Sequence, residues 1–107
     1  MNLLEALLSN RGSADGATVS VSGDSPTVTP QAGHKYQCGT LSSLTVTNPP
    51  VSGMYTLIFT SGNAATVTTF PSTILGLAQF AAEANRVYEI NVLDNRAVIG
   101  SWAVSSS

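Results

Sequence analysis

The chain has few of the residues on which catalysis, metal binding or charge-driven recognition depends. It contains one cysteine, one histidine and four basic side chains, and charged residues make up 9% of its 107 positions, against about 25% in typical soluble proteins. Cys38 alone excludes a disulfide within the chain and a metal site built from several thiolates. Scattered cations argue against nucleic-acid binding, which needs clustered Lys and Arg. No apolar run approaches the roughly 20 residues that cross a bilayer, so we expect no membrane segment.

The same scarcity argues against an enzyme. His34 would have to serve any Ser-His-Asp arrangement, with Asp24 or Asp94 as its orienting group, yet no serine lies in a G-x-S-x-G turn. A zinc site needs more ligands than one His and one Cys, and the six acids lack calcium-loop spacing. We therefore predict no catalysis, no metal and no cofactor. One alternative stays open: a small hydrolase or lyase whose composite site lies at a subunit interface and uses His34.

A dense β-pattern begins at Ala17. Ser and Thr fill about a quarter of the chain, and Thr suits a pleated, half-buried surface. Period-two alternation between Gly, Pro, Asn and Asp turns predicts strands over 18–22, 27–29, 34–39, 41–47, 54–60, 65–70, 87–93 and 97–102. Seven or eight such strands are typical of a small antiparallel β-sandwich or barrel. We expect one all-β domain over 17–104 and a frayed tail over 105–107.

Two hairpins and one internal repeat are predicted within this domain. Asp94-Asn95 should turn the chain between the last two strands, and the turn at 61–63 should join 54–60 to 65–70. Segments 32–36 and 84–88 each place Gly or Asn three residues before a tyrosine. Because Gly and Asn tolerate positive φ, we interpret both segments as the same turn into a strand, used twice.

Residues 1–10 follow a helical pattern instead. Leu3, Leu4, Leu7 and Leu8 form one apolar stripe on a helix, and the small polar residues 11–17 are typical of a flexible linker. So short a helix is marginal alone, so the stripe should lie against something. Packing on its own β-domain is one alternative, but the linker favours docking to another protein or to copies of itself. We predict an anchor peptide and linker over 1–16.

Four aromatic residues are candidates for subunit contacts: Tyr36, Tyr55, Tyr88 and Trp102. They are too few and too separated for a carbohydrate platform. We expect the tyrosines to anchor strands, with each hydroxyl reaching water or the backbone. A contact between subunits is the alternative role for one of the four.

The order of these motifs resembles a β-rich domain that recurs in virion proteins of tailed phages and prophages, in tail, baseplate and head-fibre proteins. In that group Gly or Asn, a basic residue and Tyr open a strand, and Thr-rich strands follow in a fixed order. The matching segments here are Gly33-His34-Lys35-Tyr36, Asn85-Arg86-Val87-Tyr88, Ser43-Leu44-Thr45-Val46, Phe59-Thr60-Ser61-Gly62, Phe70-Pro71, and Glu83-Ala84-Asn85 through to Gly100. The likeness covers residues 30–102.

The resemblance implies a structural or attachment role without catalysis, in a homo-oligomer that is most often a trimer. We therefore expect a capsid decoration or head-fibre protein on the phage particle surface, made in the bacterial cytoplasm. Its leucine stripe would bind the major capsid protein or another virion protein, or form the seam between copies. A tail or baseplate adhesion module and a cellular β-sandwich adaptor are the alternatives.

Overall fold

A computed structural model describes residues 17–104, and over this range the fold is all-β. Its strands are β1 (Ala17–Val21), β2 (Thr27–Val28), β3 (His34–Leu41), β4 (Ser43–Val46), β5 (Met54–Ser61), β6 (Val67–Thr69), β7 (Arg86–Leu93) and β8 (Arg96–Ala103). They form a five-stranded sheet in the order β1-β3-β5-β7-β8 and a three-stranded sheet in the order β2-β4-β6. The predicted N-terminal helix and the predicted C-terminal tail lie outside the described residues.

The chain changes sheet at every step from β1 to β6. Each successive pair of strands therefore adds one strand to each sheet. As a result β1, β3 and β5 run parallel to one another, and so do β2, β4 and β6. The three turns of chain stack as a flattened coil. β7 and β8 then extend the larger sheet as antiparallel strands beside β5.

This topology corrects two predictions. The expected antiparallel arrangement is wrong, because four of the six strand pairings in the described residues are parallel. The expected hairpin joining 54–60 to 65–70 is also wrong, because β5 and β6 belong to different sheets. The reason is that alternation determines which face a side chain takes and leaves the pairing partner open.

Buried polar side chains support the crossing from β5 to β6. The N–H of Thr66 donates to Ser61 Oγ (2.9 Å), and the Thr66 hydroxyl donates to the carbonyl of Leu41 (2.6 Å). Ser61 and Thr66 are both buried, and buried polar groups are costly unless they are bonded. These bonds therefore allow the chain to leave one sheet for the other through the interior.

The terminal hairpin is confirmed. β7 and β8 pair along their whole length, with Ile90 opposite Ile99. Asp94 and Asn95 have φ of 50° and 64°, the positive values that a two-residue type I′ turn needs. The tip of the hairpin is also tied to the start of β5, because the N–H of Gly53 donates to the Asp94 carboxylate (2.8 Å) and the N–H of Asp94 donates to the Gly53 carbonyl (2.9 Å).

One cluster of buried apolar side chains joins the two sheets. The inner faces of β3, β5 and β7 supply most of it, β2 and β4 supply the opposite side, and the irregular segment 74–80 closes it. Its members are Val28, Tyr36, Cys38, Leu41, Leu44, Val46, Tyr55, Leu57, Phe59, Ile74, Leu77, Tyr88, Ile90 and Val92. Each large aliphatic or aromatic member contributes about 1.5–3 kcal/mol through burial, so the cluster is the main source of stability.

Candidate functional site

The candidate contact residues divide into two groups in the structure. Tyr36, Tyr55 and Tyr88 are buried within the chain's own core, where they present little surface to a partner. Trp102, the only tryptophan of the chain, is 49% exposed on β8. The leucine stripe lies outside the described residues, so its anchoring role stays a prediction. Of the four aromatic candidates, Trp102 is therefore the one that a partner could contact on the surface of residues 17–104.

Two of the tyrosines confirm the predicted internal repeat. The Tyr36 hydroxyl accepts a hydrogen bond from the N–H of Gln31 (2.8 Å), and the Tyr88 hydroxyl accepts one from the N–H of Glu83 (2.7 Å). Each bond spans five residues and closes a turn whose positive-φ residue is Gly33 or Asn85. Both tyrosines thus anchor the strand that they open.

The two turns also hold opposite ends of the central strand. The N–H of Gly33 donates to the carbonyl of Met54 at the start of β5 (2.6 Å), and the N–H of Asn85 donates to the carbonyl of Gly62 just past its end (2.9 Å). β3 runs parallel to β5 and β7 runs antiparallel to it. The same type of turn therefore binds the chain at both ends of β5.

Tyr55 differs from the other two tyrosines. Its hydroxyl is buried and has no hydrogen-bond partner among the described residues. Burial disfavours the charged phenolate and raises the pKa of Tyr55 to about 12. Burial likewise raises the pKa of the Cys38 thiol, so Cys38 behaves as a small apolar core residue.

Trp102 shares the outer face of the five-stranded sheet, the face turned away from the core, with three other exposed apolar residues. Strand register puts Met54 opposite Leu93, Asn91 opposite Val98, and Val87 opposite Trp102. Met54, Leu93, Val98 and Trp102 are between 41% and 71% exposed. We call these four residues the outer patch. Val87, opposite Trp102, and Ile58, opposite Glu89, are half-buried on the same face.

Three polar side chains of this face are paired with one another. The Thr56 hydroxyl donates to Asn91 Oδ1 (2.7 Å), and Asn91 Nδ2 donates to Glu89 (3.0 Å). Alternation along the strands gives the outer face Lys35, Glu89 and Arg96 as its charged residues within 17–104. A partner on this face would have little charge to desolvate, which favours protein contact.

The outer patch adjoins an exposed strand edge. β8 is the last strand of its sheet, and its odd-numbered residues direct their backbone groups away from β7. Near the hairpin turn these backbone groups are bonded to the segment at Leu75. The N–H of Leu75 donates to the carbonyl of Asn95, the turn residue before β8 (2.7 Å), and the N–H of Ala97 donates to the carbonyl of Leu75 (2.9 Å). The corresponding groups of Ile99, Ser101 and Ala103 have no main-chain partner within residues 17–104. We call residues 99–103 the open edge.

Gly100 lies in the middle of this strand and on the same face as Trp102. Its φ is outside the positive region that demands glycine, and no atom lies within 4 Å of the place where its Cβ would be. Glycine weakens a strand and often marks close approach of another group. Neither the backbone of Gly100 nor its neighbours in this chain explain why it is glycine.

His34 lies beside the turn that opens β3. His34 Nδ1 lies 3.1 Å from the carbonyl of Ala32, and the His34 ring stacks on Tyr36. Among residues 17–104 no three His, Cys, Asp or Glu side chains come close enough to share a metal ion. No helix in that range is long and apolar enough to cross a membrane. The arrangement that the structure does provide is an apolar face beside an unpaired strand edge.

Comparison of this chain with protein-family models, with curated proteins and with solved structures found no match. The site therefore has to be interpreted from its own geometry. Sequence reasoning singled out Trp102 but not the open edge or Gly100. The signal was present in the run Val98-Ile99-Gly100-Ser101-Trp102, where apolar residues occupy both faces of one strand, as is typical of strands covered on both sides.

Proposed function

We propose that this protein is a non-enzymatic structural protein of a tailed-phage virion, a capsid decoration or head-fibre protein that assembles with copies of itself. The observation that carries the proposal is the outer patch beside the open edge of β8. An exposed apolar face next to an unpaired strand edge is typical of a protein–protein contact and offers no reactive groups for small-molecule chemistry. The order of motifs over 30–102 supports the virion setting.

The low charge of the molecule supports the same function. Four basic and six acidic residues are spread over 107 positions, and the outer face is lined mainly by apolar, Ser, Thr and amide side chains. Such surfaces lose few ionic hydration shells when copies come together. The resemblance suggests an assembly of three copies. We propose that the leucine stripe (Leu3, Leu4, Leu7, Leu8) binds it to the major capsid protein or another virion protein.

Several weak anchors that are presented together bind far more tightly than one, because every contact after the first is intramolecular. Replacing Leu4 and Leu7 by Ser should therefore abolish binding to virions that lack the protein while the β-domain stays folded. The measurement is cosedimentation of purified protein with such particles, with circular dichroism as the check on folding. A matched control replaces the exposed Val51 and Val67 by Ser and should leave particle binding unchanged.

Cosedimentation that persists in the Leu4, Leu7 double variant would reject the anchor. Labelling the bound protein with antibody and viewing the particles by electron microscopy then separates head from tail. Label on the capsid supports the decoration or head-fibre function, whereas label confined to the tail or baseplate replaces it with the adhesion module.

A further inference from the structure

We infer that β8 pairs with β8 of a second copy of this chain, antiparallel and about a two-fold axis at Ser101, so that the two five-stranded sheets become one continuous sheet. The inference rests on the proposed self-assembly and adds a two-fold contact to it, which would join either two single copies or two trimers. The observations that carry it are the free backbone groups of the open edge, the segment at Leu75 that limits that edge, and the empty space above Gly100.

Backbone geometry selects the register. Residues that face each other across an antiparallel pair are either both hydrogen-bonded or both not, so outward-facing odd residues must lie opposite odd residues. The N–H of Ala97 already donates to Leu75, which ends the available edge there. Among pairings confined to residues 17–104, the longest two-fold pairing that spares Ala97 puts Ser101 opposite Ser101 of the second copy and Ile99 opposite Ala103. It covers residues 98–104.

The same register provides an occupant for the space above Gly100. Even-numbered residues share the outer face, so Trp102 of each copy comes to lie opposite Gly100 of the other. No atom of residues 17–104 lies within 4 Å of the Cβ position at Gly100, and an aromatic ring over a strand glycine is a known means of stabilising a pair of strands. The proposed strand pair thus gives a reason for glycine at position 100, because a side chain there would take the place of the second copy's Trp102.

The edge also lacks the features that keep natural sheets apart. Exposed edge strands are normally protected by Lys, Pro, bulges or a covering loop. Residues 98–104 contain no charged residue and no proline, and among the described residues the edge is covered by the segment at Leu75, which reaches Asn95 and Ala97. Two copies in this register therefore meet no like charges and no steric block from Leu75.

A cysteine placed at Ser101 tests the register directly. Opposite residues of a hydrogen-bonded pair have Cα atoms about 5.5 Å apart, within the range that a disulfide spans. The full chain carrying Ser101→Cys should therefore form a disulfide-linked pair under mild oxidation. Ala103→Cys is the matched control, because its two copies would lie about 14 Å apart along the strands. Native Cys38 is buried and is common to both variants.

Gly100→Thr gives a second test that does not rely on oxidation. Threonine favours strands and meets no neighbour at this position, so the single chain should fold at least as stably as the wild type. The added side chain would occupy the place of the second copy's Trp102, so association should weaken about tenfold. Gly39→Thr is the control, since Gly39 is also a strand glycine with no atom near its Cβ position but lies on β3.

The solution mass of the full chain and the fluorescence of its single tryptophan on dilution report the outcome. Two copies, or six if the two-fold contact joins two trimers, together with cross-linking at position 101 alone, would support the inference. Three copies, or equal cross-linking at positions 101 and 103, would overturn it and leave the proposed virion function standing. Failure of the wild-type protein to bind virions that lack it, with the β8 pair intact, would reject the function instead.

Discussion

The two faces of the five-stranded sheet come from the same strands, yet only one of them is accounted for by the fold. On β5 the inner residue Leu57 is fully buried, whereas its neighbour Ile58 is half-buried on the outer face. On β8 Ile99 packs against the core, whereas Val98 is 71% exposed. The inner face is apolar because a second sheet covers it. The outer face has an apolar patch that nothing among the described residues covers.

The largest expected contrast is between adjacent residues of β5. Leu57→Ala should lower the free energy of unfolding by about 2–5 kcal/mol, because it leaves a cavity in the closed core. Ile58→Ala should cost about 1 kcal/mol or less, since that side chain is only half-buried. Urea unfolding of both variants measures the difference. Equal losses would show that the outer face is as much a part of the fold as the inner one.

The three buried tyrosines sharpen the description of the inner face. Tyr36→Phe and Tyr88→Phe each remove the acceptor of a backbone N–H and should each cost about 1 kcal/mol. Tyr55→Phe removes a buried hydroxyl that has no partner among residues 17–104, so it should leave stability unchanged or raise it. Chemical denaturation of the three variants gives the comparison. A loss at Tyr55 as large as the other two would mean that its hydroxyl has a partner.

Tyr55 should make the free energy of unfolding depend on pH in the alkaline range. Its pKa is raised to about 12 in the folded protein, against about 10 in an unfolded chain. Between these values the unfolded state loses the proton that the folded state keeps, so stability is full below about pH 10 and falls as pH rises towards 12. Urea unfolding at a series of alkaline pH values should therefore show a smaller decline for Tyr55→Phe than for the wild type. Parallel declines would contradict the burial effect.

The smallest expected effect on the single chain is at the outer patch. Val98→Ser should change the stability of the monomer by no more than about 0.5 kcal/mol, because the side chain is exposed. Association stabilises a fold by mass action, so the wild-type unfolding midpoint should rise with protein concentration. In Val98→Ser this rise should shrink or vanish. Thermal unfolding over a range of concentrations is the measurement, and an unchanged rise would remove Val98 from the contact.

The sequence allowed the strand segments and local turns to be predicted because both depend on short-range chemistry. Period-two alternation located the strands, and Asp94-Asn95 predicted the last turn, since Asn and Asp tolerate positive φ. The repeated turn before Tyr36 and Tyr88 was likewise visible in the residue order. Each of these features depends on residues within a few positions of one another.

Strand pairing could not be predicted in the same way. Parallel β1, β3 and β5 are joined through strands of the other sheet, and no local motif records which strands meet after such a crossing. The buried pair Ser61 and Thr66 was the one signal at the crossing, but in the sequence it is indistinguishable from an exposed polar turn. The open edge of β8 was missed for the same reason, because an edge exists only once the order of strands is known.

The most direct test of self-association through the β-domain is the solution mass, by light scattering, of the full chain and of a chain that begins at Ala17. The outer patch and the open edge lie within 17–104, so both chains should contain the same even number of copies over a wide concentration range. A single copy for the chain that begins at Ala17, beside an oligomeric full chain, would contradict the account and place the seam in the leucine stripe.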